Sequence, residues 1–143
     1  MADVEFDWNE YLNFARSLVD LVSGEASVRT SSSRAYYAAY WKARLILEAN
    51  LVVLPRSNIH RFVWDAFMNS WNTGGASLGK LGDRLKSFRV KADYFTSPPM
   101  TQADAEIAVR NEVFRNEDLN TISEEAQAAA RLRAIELTGL PQY

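Results

Sequence analysis

The segment Ser31–Trp41, with the sequence SSSRAYYAAYW, constrains the fold more than any other part of the chain. It sets one arginine, Arg34, among four aromatic rings, and it contains no residue that breaks a helix. At about 3.6 residues per turn, Arg34, Tyr37 and Trp41 share one face of the predicted helix. The alanines between them let another backbone come close. We therefore expect the central helix of a bundle, whose guanidinium needs a carboxylate, phosphate or carbonyl partner.

Apolar periodicity predicts an all-α protein, an antiparallel up-and-down bundle of five or six helices. We expect Asn72–Gly75 to separate two helices. Ser57 or Asn58 is predicted to cap the third helix. The apolar segment 51–54 is predicted to form a buried connection. We expect a single domain, 1–143, with its core at about 7–117 and a C-terminal helical extension at about 118–138. The predicted helices lie at about 7–22, 27–50, 59–71, 77–95 and from 101 onward, with a break near 118–120.

Composition removes several classes of site. The chain has no cysteine and a single histidine, His60, which excludes disulfides, thiolate metal sites and every scheme that needs two histidines. We expect no metal and no cofactor. No apolar run approaches the roughly 20 residues of a membrane span, and the acidic start is unlike a signal peptide, so a cytoplasmic protein without membrane contact is predicted.

Charge is distributed unevenly along the chain. Residues 26–95 contain 11 Lys and Arg against 4 Asp and Glu, whereas the two flanks together contain 5 and 14. The middle could therefore offer a site for phosphate groups, or the acidic flanks could neutralise it by packing across it. The densest basic cluster is on the fourth predicted helix and includes Arg84.

The residues suited to chemistry form one constellation on the second, third and fourth predicted helices. Arg89 and Asp93 are spaced i, i+4 and can pair on one face. Asp93 is also the leading structural partner for Arg34, through a buried bridge that would fix the register of two helices. A lone histidine near a helix start more often makes a structural hydrogen bond than it catalyses. The constellation comprises Arg34, Tyr37, His60, Arg89, Asp93 and Tyr94.

Three sequence motifs, which include several residues of this constellation, resemble motifs of the HEPN-domain family of small prokaryotic proteins. They are the Ser33–Tyr40 helix with its Ser-Arg-x-Tyr-Tyr-Ala pattern, a histidine opening the third helix (His60), and Arg-x-x-Ala-Asp-Tyr at Arg89–Tyr94. The similarity covers roughly residues 8–117. It implies an antiparallel helical bundle that forms a homodimer. It also implies a minimal nucleotidyltransferase as partner, in a toxin–antitoxin setting.

Many members of this family are metal-independent RNases whose signature is an arginine followed by a histidine four to six residues later. In this chain Tyr94 stands where that histidine is expected, and a tyrosine is a poor general base near neutral pH. Three hypotheses follow. The first is a binding protein that uses Arg34, Tyr37, Asp93 and Arg84 for RNA or nucleotide phosphates or for a partner. The second is an RNase with a rearranged site of Arg89, Tyr94 and His60, and the third is a purely structural partner.

Overall fold

The computed structural model describes residues 6–21, 23–110 and 122–138. These residues form six helices and no strand, which confirms the predicted all-α bundle. Within the described chain, no helix is long and apolar enough to span a bilayer. The helices are α1 (Asn9–Leu21), α2 (Glu25–Ala49), α3 (Ile59–Met68), α4 (Thr73–Tyr94), α5 (102–110) and α6 (Glu124–Thr138).

Helix α2 is the central helix, as the sequence predicts, because α1, α3, α4 and α6 all contact it. Its small side chains allow these approaches: Ala35, Ala38, Ala39 and Ala43 are completely buried. The helix begins two residues earlier than predicted, directly after Gly24, whose φ of 113° suits glycine.

Three consecutive buried serines lie near the start of the central segment. The hydroxyls of Ser31 and Ser32 donate to the carbonyl oxygen of Val28, at 3.0 Å and 2.9 Å. Ser33 instead donates to Asp93 Oδ2 of α4, at 3.2 Å. These hydrogen bonds offset the cost of burying three hydroxyl groups. Because serine side chains are small, they also let α2 lie close to its neighbours.

Helices α3 and α4 cross in near contact because two residues of α4 lack a side chain. A Cβ atom on Gly79 would lie 2.2 Å from the backbone nitrogen of Met68. On Gly82 it would lie 2.1 Å from the Trp64 ring. Both distances are far below van der Waals contact, so these positions require glycine.

The predicted break at Asn72–Gly75 is wrong, since α4 already begins at Thr73 and includes Gly74 and Gly75. Asn72 caps this helix: its Oδ1 accepts a hydrogen bond from the backbone N–H of Gly75, at 3.1 Å. The predicted N-cap position of α3 is confirmed at Asn58, but the cap bond is not formed. Asn58 occupies the N-cap position in the left-handed conformation and makes no side-chain cap bond.

The segment 51–54 is only partly the buried connection that its composition predicts. Val52 is buried, whereas Leu51 is 58% exposed. The cause is local geometry: Leu51 takes a φ of 63° immediately after α2, which turns its side chain away from the core.

The C-terminal helices begin with capping interactions. Thr101 and Asp104 bond reciprocally at the start of α5, and Ser123 Oγ accepts from the Ala126 N–H at the start of α6. The predicted break near 118–120 lies outside the described residues. Helix α6 contributes Ala130 and Ala134 to the main core cluster, so it is part of the bundle's packing.

Candidate functional site

Three tyrosines of α2 meet the only histidine of the chain at the start of α3. The His60 ring stacks on Tyr40, with 4.0 Å between ring centroids and 17° between planes. Tyr36 and Tyr37 lie around the same ring, with centroids 5.7 Å and 5.9 Å away. The helical periodicity of Tyr36, Tyr37 and Tyr40 places all three rings on the side of α2 that α3 and α4 approach.

A short chain of hydrogen bonds holds His60. Trp64 Nε1 donates to the Tyr36 hydroxyl oxygen, at 3.0 Å, and that oxygen lies 2.7 Å from His60 Nδ1. The indole N–H can only donate, so the Tyr36 oxygen accepts from Trp64 and its own hydroxyl hydrogen can be donated to His60. We therefore assign Nδ1 as the acceptor, which leaves the ring hydrogen on Nε2. Burial raises the pKa of Tyr36, in keeping with a neutral donor.

The same surroundings keep His60 neutral. Burial, followed by the positive charges of Arg89, Lys86 and Arg44, lowers its pKa from 6.5 to about 4. At pH 7 the ring is therefore uncharged, with Nδ1 already engaged and a hydrogen on Nε2. In this form His60 is a hydrogen-bond donor, and it is badly suited to remove a proton from a ribose hydroxyl.

Arg89 is the best-anchored cation of the cluster, with a side chain only 15% exposed. One terminal nitrogen donates to the Tyr37 hydroxyl at 2.7 Å. Its Nε lies 3.2 Å from Asp93 Oδ2, but the N–H direction does not complete a hydrogen bond. Burial disfavours the charge, yet the bond to Tyr37 and the neighbouring Tyr94 and Asp93 raise the pKa of Arg89 above its usual value. The predicted Arg89–Asp93 pair is confirmed.

The predicted bridge between Arg34 and Asp93 is wrong. Asp93 takes Arg89 and Ser33 as its partners, because Arg89 lies one turn earlier on the same helix. Arg34 instead points toward α1 and α2 rings: its guanidinium carbon is 5.0 Å from the Tyr11 centroid and 5.7 Å from the Tyr37 centroid. Nor are these residues sealed inside, since Arg34 is half-buried and the Asp93 side chain is 32% exposed.

The structure thus brings the six residues of the predicted constellation together, and it places Arg84, which was predicted separately as a ligand-binding residue, elsewhere. The Arg89 guanidinium lies between two rings, 5.3 Å from Tyr37 and 5.5 Å from Tyr94, and Tyr94 is 68% exposed. Arg84 lies on the opposite, outer side of α4, beside a cleft of about 160 Å³. We call the joined set the α2–α4 cluster; it consists of Arg34, Tyr37, His60, Lys86, Arg89, Asp93 and Tyr94.

Sequence reasoning missed the residues that support His60. Trp64 is one helical turn after His60, and Tyr36 is one turn before Tyr40, so both spacings place them near the ring. Lys86 belongs to the basic cluster of the fourth predicted helix, and the structure shows that its charge acts on His60. The signal for Lys86 was its spacing of three residues from Arg89.

In chemical terms, the cluster carries more positive than negative charge. It contains three cations, Arg34, Lys86 and Arg89, and one carboxylate, Asp93, which pairs with Arg89. No group of three or more His, Asp or Glu side chains able to hold a metal occurs in the described part of the chain. Comparison with models of known protein families, with curated proteins and with solved structures gives no match.

Proposed function

We propose that this protein is a HEPN-like helical bundle that binds the phosphate groups of RNA or of a nucleotide at the α2–α4 cluster, without cleaving the ligand. The observation that carries the proposal is the pair of guanidinium groups over one ring. Arg34 lies 5.7 Å and Arg89 5.3 Å from the Tyr37 centroid. Among the described residues, only Asp93 forms an ion pair with either of them.

Two further features support a nucleotide-like ligand. Tyr94 exposes most of its ring beside Arg89, and such a ring offers a surface on which a base can stack. His60 adds a neutral donor, which stabilises an anion without competing for a proton. A nucleotide has both a base that can stack on Tyr94 and a phosphate that can accept from His60.

The test is binding of labelled single-stranded RNA of 12 nucleotides and of ADP. Arg89→Ala should weaken binding by about tenfold or more, because it removes a phosphate contact and frees Tyr37. Affinity for RNA should also fall steeply with added salt. Arg16→Ala, which removes an exposed arginine of α1, is the matched control and should change affinity less than about twofold. Circular dichroism of each variant checks the fold. Salt-independent or absent binding would refute the proposal.

The RNase alternative is tested in the same samples. Purified protein with EDTA should leave the RNA intact, because His60 Nδ1 accepts from Tyr36 and no second histidine exists. Metal-free cleavage that Arg89→Ala abolishes would show that the protein is an enzyme. A homodimer and a nucleotidyltransferase partner in a toxin–antitoxin setting belong to the proposal through the HEPN resemblance alone, and the mass in solution tests the dimer.

A further inference from the structure

Helix α4 has an inner side packed in the bundle and an outer side that the bundle does not bury. Its inner side consists of Gly79, Gly82, Leu85 and similar buried residues that contact α2 and α3. Its outer side carries Lys80, Arg84, Ser87 and Lys91, spaced i, i+4, i+7 and i+11. This spacing keeps the four residues on one face over about 16 Å of helix.

The cations of this outer face lack an acidic partner among the described residues. Within the described chain, Lys80, Arg84 and Lys91 form no ion pair through their side chains. Of the two acidic residues of α4, Asp93 pairs with Arg89, and Asp83 forms no ion pair among the described residues. Three cations in a row without an ion pair in the described part of the chain produce a local positive potential that attracts a polyanion.

Two clefts lie on this side of α4. The larger, of about 460 Å³, is lined by Asp83, Lys86, Ser87, Val90, Lys91 and Phe95. The smaller, of about 160 Å³, is lined by Arg84, Ser87, Phe88 and Lys91. Ser87 and Lys91 line both, so the two clefts adjoin. Lys86 lines the larger cleft and also acts on His60, which connects the outer face to the α2–α4 cluster.

We infer that a single-stranded nucleic acid several nucleotides long leaves the α2–α4 cluster and crosses the outer face of α4. Its phosphates contact Lys80, Arg84 and Lys91, and its sugars and bases contact Val90 and Phe95 in the clefts. This inference rests on the proposed function and names its ligand class: a single strand, longer than one nucleotide.

The chemistry of the face favours a single strand over other polyanions. Phe95 is 51% exposed and Tyr94 68% exposed at the end of α4, and stacking on such rings needs the unpaired bases that a duplex conceals. A membrane surface fits poorly, because the apolar side of α4 is already buried in the bundle. An acidic protein segment would use the cations and leave the rings without a role.

The experiment compares ligands of different length on matched double variants. Fluorescence anisotropy measures binding of ADP, of a 12-nucleotide uridine RNA and of polyglutamate of similar charge. In Arg84→Ala/Lys91→Ala we expect the RNA affinity to fall about tenfold and the salt slope to decrease by about 1.4, for two lost phosphate contacts on a single strand. Affinity for ADP should stay within about twofold of the wild-type value. Arg16→Ala/Arg56→Ala removes the same charge from exposed positions elsewhere and should leave RNA binding within about twofold.

The outcomes separate this inference from the function on which it rests. If the double variant binds the RNA as tightly as wild type while Arg89→Ala weakens RNA and ADP alike, the outer face has no role and the cluster stands. If polyglutamate binds as tightly as the RNA, the face recognises charge alone and the nucleic-acid assignment is wrong. If neither RNA nor ADP binds, the proposed function itself fails.

Discussion

Tyr37 is the residue that couples the two arginines of the cluster. Its hydroxyl accepts from Arg89 while its ring lies near both guanidinium groups. The hydroxyl directs Arg89, and the ring face attracts both cations. Both guanidinium carbons therefore lie within 5.7 Å of one ring centroid. The arrangement depends on a tyrosine, since a phenylalanine would keep the ring and lose the hydrogen bond.

At the residue scale we predict that His60 titrates near pH 4, well below an ordinary histidine. Burial and the neighbouring cations disfavour the charged ring in the folded protein, whereas the unfolded chain binds its proton near pH 6.5. The free energy of unfolding is therefore highest above pH 6.5, and it decreases as the pH falls toward 4. Because the ring is only half-buried, screening limits the loss to about 1–2 kcal/mol.

The single histidine makes this measurement direct. The NMR shift of its ring protons against pH gives the folded pKa, and urea unfolding at pH 7 and pH 4.5 gives the stability difference. His60→Gln should show less of the acid-dependent loss than wild type. A midpoint near 6.5 would contradict the hydrogen-bonded, desolvated ring described here.

The site residues show what a sequence can predict about side-chain partners. Arg89 and Asp93 share one helix face, so their pairing follows from spacing alone. The partner of Arg34 could not be predicted in that way. Its position depends on how far α1 and α4 are rotated around α2, and Asp93 was already satisfied by closer groups. Competition among partners is a property of the assembled helices.

At the element scale, the contact between α3 and α4 is set by glycine. We predict that Gly82→Ala destabilises the protein by about 3 kcal/mol, because its Cβ would overlap the buried Trp64 ring and force the helices apart. Gly74→Ala makes the same change in the first turn of α4, where the new Cβ meets only the Asn72 side chain at 3.2 Å. This control should change the unfolding free energy by less than about 1 kcal/mol. Equal effects in chemical denaturation would contradict the close packing.

The error at Asn72–Gly75 has a related physical cause. Glycine can interrupt a helix, or it can let another helix approach, and both uses look alike in a sequence. The distinguishing signal was the spacing of Gly75, Gly79 and Gly82, which share one face of α4. A breaker does not need to recur at i, i+4 and i+7, whereas a packing surface does.

At the scale of the whole molecule, α6 closes the bundle. Arg131 Nε donates to the Asn50 carbonyl oxygen, and Asn50 Nδ2 donates to Gln127 Oε1, so the end of α2 is tied to α6. Ala130 and Ala134 complete the core that α2, α3 and α4 begin. The number of helices and their class follow from periodicity in the sequence, but this closure does not, because alanine-rich helices show weak amphipathic patterns.

We predict that a chain ending at residue 121 is less stable than the full chain by about 3–5 kcal/mol. Removing α6 uncovers apolar core surface and the last turn of α2. A chain ending at residue 138 retains the whole helix and serves as the control. Thermal unfolding followed by circular dichroism compares the three proteins. An unchanged midpoint after loss of α6 would show that this helix is a dispensable appendage.

The stacked indoles of Trp8 and Trp41 have an optical consequence. Their ring centroids lie 4.6 Å apart with planes inclined by 4°, and the Arg44 guanidinium lies 4.6 Å from the Trp41 centroid. Two chromophores so close exchange excitation, and the pair reports on the attachment of α1 to α2. Trp64 is buried at the α3–α4 contact and Trp71 is 67% exposed. The four tryptophans thus give the native protein separate spectroscopic labels for its first helix, its core and its surface.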